Sequence, residues 1–569
     1  MIHILFFCLQ SGRSSGKPSK TTGDLPSSPR VRQTLFQAFQ KLEAAYAPNS
    51  KNAKDLTAAI TYYISKDMLP FRTVERPGFL KLMKVAVPHY RVPSRTFFSK
   101  SEIPKLYNQV RADVENRLAH GTWFGATTDI WTSENGAGQP YISFTIQYLD
   151  PDWKLEAHYL ETQFFPDNHS AQNIRDILEN MLDEWNIRKE NLVSVTTDNA
   201  TNMVKAFTEF PDLWFGCFGH NLNLAISKAL RMQRVDTAVK ACRHLVQGFS
   251  RSWRRRRDLN DKLTAKKMTH KALIHDVVTR WGSTFKMLKR FLDLQQTVCE
   301  TLAGDRGAWH LMPKDSHIRV IEQVSQLLEP LSDFTDALAS EKRVTLSAII
   351  PVMGHITGDI LADKDGDSNL MSEMKKSIRD DLQARYTDNA IRAMRMACLI
   401  DPRFKKNFLE EPIAATTMNN CVKEAVRISE QLPGEYHENT SSDSPSPTSI
   451  TQKPGDKSLA GLLKKIAAAR QQRGGETSSS IEDKINKEIQ QYLSLPPISA
   501  EEDPLVWWRG HASLLPHPAT LAKKLLCIPA TSVSSERMFS ASGHIVSPLR
   551  SLLKPDKINM LTFLHFNLE

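Results

Sequence analysis

A β-rich core split by a long helical stretch, with more helices ahead of it, is the fold class this sequence predicts: α/β plus all-α. Three observations carry that reading. Aromatic and β-branched residues concentrate between residues 119 and 230. Apolar residues recur at helical spacing through 231–432. Polar stretches rich in Ser, Gly and Pro, HENTSSDSPSPTSITQKPGDK and GGETSSS, then separate that region from a last apolar segment.

Taken in order, residues 1–33 hold a Ser/Gly/Lys/Pro-rich run whose composition predicts disorder. Residues 34–118 read as a helical domain of DNA-binding or dimerisation type. LTAAITYYISKDMLPF is apolar at helical spacing until Pro70 breaks it, and SEIPKLYNQVRADVENRLAH follows with Ser101 as candidate cap. Between 119 and 230, FGATTDIW, YISFTIQYLD and WKLEAHYLETQFF predict three consecutive strands, with Asn135 and Gly136 turning between the first two. NIRDILENMLDEWNI predicts a helix, LVSVTTD a fourth strand, and WFGCFG a short segment leading into the helix HNLNLAISKALR. The order β-β-β-α-β-α matches a ribonuclease-H-like core, in which the first and fourth strands are neighbours. Residues 231–432 form the helical insertion, 433–485 a flexible linker around one short Lys/Ala helix, and 486–569 a helical segment that completes the core.

A chain of 569 residues with 41% hydrophobic and 24% charged residues is long enough for several domains and a large core. The net charge of +11 is unevenly spread. From Arg231 to Lys271 there are 13 Lys/Arg against 3 Asp, including the run Arg254, Arg255, Arg256 and Arg257. Such a stretch attracts a polyanion, because phosphate neutralisation dominates nucleic-acid affinity; a solvated helix face is the bland alternative. The seven Cys are scattered without a CxxC pair, which predicts a reducing compartment and neither a disulfide scaffold nor a thiolate zinc site. No apolar run is long enough to span a membrane. The opening MIHILFFCLQ has no basic residues before its apolar run and no cleavage site after it, so it does not read as a signal peptide.

Three acidic residues stand out: Asp129 in ATTDIWTS, Asp198 in SVTTDNATNM and Glu536 in SVSSERMFS. Asp198 follows Asp129 by 69 residues, and Glu536 follows Asp198 by 338, so a catalytic fold interrupted by an insertion would have to bring them together. Carboxylates at strand ends facing one helical carboxylate can hold two divalent metals that stabilise the entering and leaving oxygens of a phosphodiester. Each residue has a plainer reading too: a strand-end cap for Asp129 and an Asx-turn for Asp198. Cys217 and His220 could be a buried thiol beside a helix-capping His, and Trp281 a core tryptophan.

In their order, ATTDIWTS, HSAQNI, SVTTDNATNMVKA, CFGHNLNLAI, VVTRWGSTFKML, LIDPRFK and the terminal block IPATSVSSERMFSASGHIVSPLRSLLKPDKINMLTFLHFN resemble the hAT (hobo/Activator-type) DNA transposase superfamily, and within it the zinc finger BED domain-containing proteins. The resemblance runs from about residue 34 to the end. It implies that Asp129, Asp198 and Glu536 are catalytic metal ligands for Mg²⁺ or Mn²⁺. It implies that Cys217 and His220 form the family's CxxH motif, with His220 near the scissile phosphate. Arg280 and Trp281 match an RW pair whose Trp stacks on a flipped base. DNA and a second copy of the chain are the implied partners, and the nucleus the implied compartment. Relatives of the BED type begin with a CxxC…HxxxH zinc finger; residues 1–33 lack those ligands, and no zinc finger is expected in this chain. The implied function is a dimerising transposase, or transposase-derived DNA-binding protein, that cleaves and transfers DNA strands. The alternative is a domesticated, non-catalytic transcription regulator with a vestigial site.

Overall fold

The computed structural model describes residues 45–133, 138–207, 214–338, 340, 342–431, 480–546 and 553–568. The expected disorder of residues 1–33, most of the 433–485 linker with its short helix, and the Asn135–Gly136 turn all lie outside the described residues. The chain is mixed α/β and divides into two compact units, residues 1–61 with 71–98, and residues 62–70 with 99–569. This division differs from the expected boundary at 118. The helix Ile103–Leu118 buries Tyr107, Val114 and Leu118 and belongs to the larger unit.

In the smaller unit the Thr57 hydroxyl meets the Tyr90 hydroxyl at 2.8 Å, and the Tyr46 N–H donates to His89 O at 2.7 Å. Its short helix Pro77–Ala86 starts with proline at the first turn, where no N–H is needed, and buries none of its residues. Ser101 is not a cap. It lies in a π-turn, Phe98–Glu102, and Glu102 is the residue that precedes the helix Ile103–Leu118.

The larger unit is organised around a six-stranded sheet: β1 (Phe124–Thr127), β2 (Ile130–Thr132), β3 (Pro140–Leu149), β4 (Leu155–Phe164), β5 (Leu192–Thr197) and β6 (Trp214–Gly216). β3 pairs antiparallel with β4 on one edge and with β1 and β2 on the other. β1 then pairs parallel with β5, and β5 parallel with β6. The stretch FGATTDIW is thus two short strands rather than one. Side chains step into the ladder at the break: the Thr128 hydroxyl donates to Ser143 O at 2.7 Å, and Ser143 Oγ accepts from the Asp129 N–H at 3.2 Å. The adjacency of the first strand and the strand LVSVTT is as the sequence led us to expect.

Helix Ala171–Glu184 is capped by Ser170, whose hydroxyl accepts from the Asn173 N–H at 3.2 Å. Helix Phe218–Leu230 follows β6 directly and buries Leu222, Ala225, Ile226 and Ala229. The described residues from 233 to 431 are mostly helical, with one extended non-helical stretch, 266–280, leading to helix Trp281–Ala303, and one continuous apolar core runs from Phe218 through these helices to Leu526. The last segment starts earlier than expected, at helix Ile481–Ser494, because Ser480 and Asp483 form a reciprocal capping box.

The C-terminal residues close the sheet. Helix Pro555–Asn567 packs on β4, with Phe566 stacked on Tyr159 at 3.9 Å and Phe563 fully buried against Tyr107 and Trp185. Asn559 accepts from the Thr162 N–H on the β4 edge at 2.9 Å and donates to the buried Glu161, so an exposed strand edge and a buried carboxylate are satisfied together. Before this helix, residues 524–532 run buried across the sheet. Gly125 makes that passage possible, because a Cβ there would stand 2.7 Å from both Cys527 O and Pro529 Cδ.

Replacing Gly125 with Ala is therefore expected to cost about 1–3 kcal/mol by overpacking. Urea unfolding of the full chain measures it, and a midpoint equal to wild type would mean that the crossing segment yields freely.

Candidate functional site

β1 and β5 lie side by side and parallel, with Thr127 opposite Thr196 in the register. Two residues beyond each of these, Asp129 and Asp198 leave the same end of neighbouring strands. The third carboxylate arrives from far along the chain. Glu536 sits in the first turn of helix Val533–Ile545. One residue earlier, the Ser535 hydroxyl meets Thr127 Oγ1 at 2.8 Å and pins that helix to β1. The buried approach to it is held throughout: Thr196 Oγ1 donates to Pro529 O at 2.8 Å, the Phe218 N–H to Ala530 O at 3.0 Å, and the Ser532 N–H to Cys217 Sγ at 3.3 Å.

The fourth member comes from the start of helix Phe218–Leu230, which is anchored by the Cys217 N–H donating to Thr197 O at 2.8 Å. His220 Nε2 lies 3.8 Å from Glu536 Oε1. The structure thus brings Asp129, Asp198, Glu536, Cys217 and His220 into one electrostatic neighbourhood. Burial, followed by repulsion from Asp198 and Glu536, pushes the Asp129 carboxyl up to about 7, although His220 opposes the rise. Burial works against a charge on His220, yet Cys217, Glu536 and Asp129 raise it to about 9. Burial pushes the Cys217 thiol up, but His220 and the Ser532 amide more than offset that, and its net direction is down. The result is an acidic cluster with one internal cation and one carboxyl poised near neutral pH. Groups shifted this way by burial and a specific charge partner make this cluster a functional-site candidate. Among the described residues, no three His, Cys, Asp or Glu side chains close around a single point as a metal cage would. Asp198 also makes the local turn that its sequence predicts, accepting from the Ala200 N–H at 3.1 Å.

Arg280 and Trp281 part company. Arg280 is exposed and precedes helix Trp281–Ala303. Trp281 is 5% exposed and shares the buried face of that helix with Phe285 and Leu288, so in this conformation its ring packs in the core and does not meet a base. The four consecutive arginines divide too. Arg255 is taken up structurally, donating to Asp305 at 2.9 Å and to Gly248 O at 3.0 Å. Arg254, Arg256 and Arg257 are exposed.

Sequence reasoning missed the residues that aim Arg280. Asn223, one helical turn after His220, donates to Thr279 O at 3.1 Å and accepts from the Trp281 N–H at 3.1 Å, bracketing Arg280 on both sides. Behind it, the fully buried Asp276 carboxylate is held by Arg243 at 2.6 and 2.8 Å and by Thr284 at 3.0 Å. The signal available was the three-residue spacing of His220 and Asn223, which puts both on one helix face.

Residues 127–213 match the ZBED1 RNase-like domain, 215–326 the ZBED1 RNase-like helical domain, and 488–568 the hAT family C-terminal dimerisation region. Asp129 and Asp198 fall in the first, Cys217, His220 and Arg280 in the second, and Glu536 in the third. Similar proteins include zinc finger BED domain-containing protein 6 of Mus musculus, 25% identical over 91% of this chain and 55% of its own. Zinc finger BED domain-containing protein 4 of Homo sapiens is 23% identical over 95% and 46%. The protein named "Putative AC transposase" of Zea mays is 25% identical over 86% and 62%. The chain is thus related along most of its length to hAT transposases and BED-domain proteins, and it spans roughly half the length of these relatives.

The raised Asp129 carboxyl has a measurable consequence. An unfolded Asp loses its proton near pH 4, whereas this one keeps it to about 7. The fold therefore binds more protons across that window, and stability falls as pH rises through it. Asp129→Asn should be more stable than wild type by up to about 4 kcal/mol at about pH 8, with the gain fading towards about pH 4. Urea midpoints against pH test this, and a gain independent of pH would remove Asp129 from the cluster's electrostatics.

Proposed function

We propose that this chain, carrying a hAT dimerisation region and both RNase-like domains, is a transposase-derived nuclear protein that binds DNA as a dimer. Its acidic cluster serves metal-dependent cleavage and transfer of DNA strands on a ribonuclease-H-like core. One observation carries the reading: Asp129 and Asp198 leave adjacent parallel strands beneath Glu536, which returns from 338 residues away to meet them. The match at residues 488–568 supports self-association. Among the described residues no helix is long and apolar enough to cross a membrane.

The residues fit divalent cations by their chemistry. Three carboxylates supply hard oxygens suited to Mg²⁺ or Mn²⁺. Burial, and after it repulsion from Asp198 and Glu536, holds Asp129 up to about 7, and the negative charge gathered there is what a cation relieves. Bound metals would stabilise charge on the attacking and leaving oxygens of a phosphodiester. Asp129, Asp198 and Glu536 would hold them. His220, positive at neutral pH and beside Glu536, is placed to pair with a phosphate oxygen. Arg280, bracketed by Asn223 one turn further on, offers a second cation to the same backbone. The reaction so served is hydrolysis of one strand, followed by attack of the freed 3′-hydroxyl on the opposite strand to leave a hairpin on the flanking DNA. The excised end would then be joined to target DNA at the same site.

A second reading, a DNA-binding transcription regulator with a vestigial site, is favoured by one specific observation: three ligands do not close around one point. Nicking separates the two. Wild type is expected to nick a terminal-repeat duplex in Mg²⁺ or Mn²⁺. Asp198→Asn should fall to background while binding the duplex with about wild-type affinity, because phosphate contacts by Lys and Arg need no metal. DNA bound by wild type without any nicking would leave the regulator.

A further inference from the structure

Ten tryptophans occur in the chain, and two of them are strongly exposed: Trp253 at 65% and Trp309 at 57%. Both lie at the same end of the helical insertion. Trp253 opens helix Trp253–Ala265, and Trp309 lies in the short turn Arg306–Leu311. The two elements are tied together. Arg255, two residues after Trp253, donates to Asp305 and to Gly248 O. Asp305 immediately precedes the turn that carries Trp309. Leu311, at the end of that turn, packs so closely on Gly248 that a Cβ there would stand 2.4 Å from Leu311 Cδ1. The tip is therefore a fixed platform.

Its surroundings are cationic. Arg251, Arg254, Arg256, Arg257 and Arg306 are all exposed here. Asp305 is engaged by Arg255, and Asp258 lies 3.6 Å from Arg257 and 4.0 Å from Arg254. The Arg257 guanidinium lies over the Trp253 ring, 5.0 Å from its centre, and the indole stays 65% exposed. The Trp309 Nε1–H is directed to Ala303 O at 3.4 Å, which holds that indole at the surface by its edge.

We propose that this tip is a second DNA contact site, in which Trp253 and Trp309 stack on unpaired bases while the arginines around them neutralise the backbone. Exposed indoles offer base-sized π faces, and stacking on them tolerates any sequence. A polyanionic strand fits the concentration of arginines better than an apolar protein surface does. The site lies outside the acidic cluster and takes bases that Trp281, packed in the core, does not reach. It rests on the DNA-binding reading above and adds a preference for single-stranded or splayed nucleotides.

The test uses the full chain with a labelled single-stranded oligonucleotide and the blunt duplex of the same sequence. Trp253→Ala and Trp309→Ala should each weaken binding of the single strand by about fivefold or more, with the duplex affected less than about twofold. The strand should quench wild-type tryptophan fluorescence more than that of the double variant. Arg256→Gln should weaken both probes and lower the salt slope by about 0.7–0.9. Thermal melts control for folding, since neither indole is buried. If wild type binds the duplex but the double tryptophan variant binds the single strand as wild type does, the platform is overturned and a protein-docking tip takes its place. If wild type binds neither probe, the DNA-binding reading falls and the platform falls with it.

Discussion

The buried passage of residues 524–532 across β1 and β5 is the constraint on which the rest of the molecule depends. A polypeptide can cross a core only if its polar backbone is satisfied. Here the partners come from elements otherwise distant in sequence: Thr196, Phe218, Cys217 and Thr345. The sheet contributes space as well, through the missing side chain of Gly125. Once this passage is fixed, helix Val533–Ile545 can start in one place only, and Glu536 follows with it.

This arrangement explains how the core tolerates an insertion of such length. The entropy of closing a loop grows with the logarithm of its length, so each doubling adds only about 0.6 kcal/mol. The inserted helices also carry their own apolar core, continuous with helix Phe218–Leu230. The insertion thus stabilises itself while its ends are held by the passage and by β6. Where it returns towards the sheet, Asn223 and the buried Asp276–Arg243 pair fix the segment that presents Arg280. A buried ion pair is costly to desolvate and is weak evidence for stability. Its recognisable effect here is geometric.

The acidic cluster is the opposite case, because its members repel. Packing holds Asp129 beside Asp198 and Glu536 against that repulsion, with His220 as partial compensation. Sites whose electrostatics work against the fold are expected where function requires them. Arginines on the insertion show the same division of labour. Arg243 and Arg255 are consumed by carboxylates, while Arg256 and Arg280 stay at the surface.

How much of this was legible in the sequence follows from the range of each interaction. Hydrophobic periodicity and turn chemistry act over a few residues, so β3, β4, β5, the helix capped by Ser170 and most of the helices of 231–431 could be read directly, whereas the break between β1 and β2, the short strand β6 and the non-helical stretch 266–280 could not. Asp129, Asp198 and Glu536 stood out by their local contexts and by the resemblance of the motifs that carry them. Periodicity could not show that Trp281 faces inwards, because a single tryptophan at a helix start fits a core or a surface equally well. Nor could it divide Arg254–Arg257, where Asp305, fifty residues away, removes Arg255 from the solvent-facing set. Spacing put Asn223 on the same helix face as His220, but its role was not legible, because its partners are backbone groups of a loop far along the chain. The sequence by itself determined the local elements and the identities of the reactive groups. Tertiary structure decided which of them meet, because convergence of Asp129 with Glu536 depends on a backbone crossing and on pairings between residues hundreds of positions apart, for which no local pattern exists.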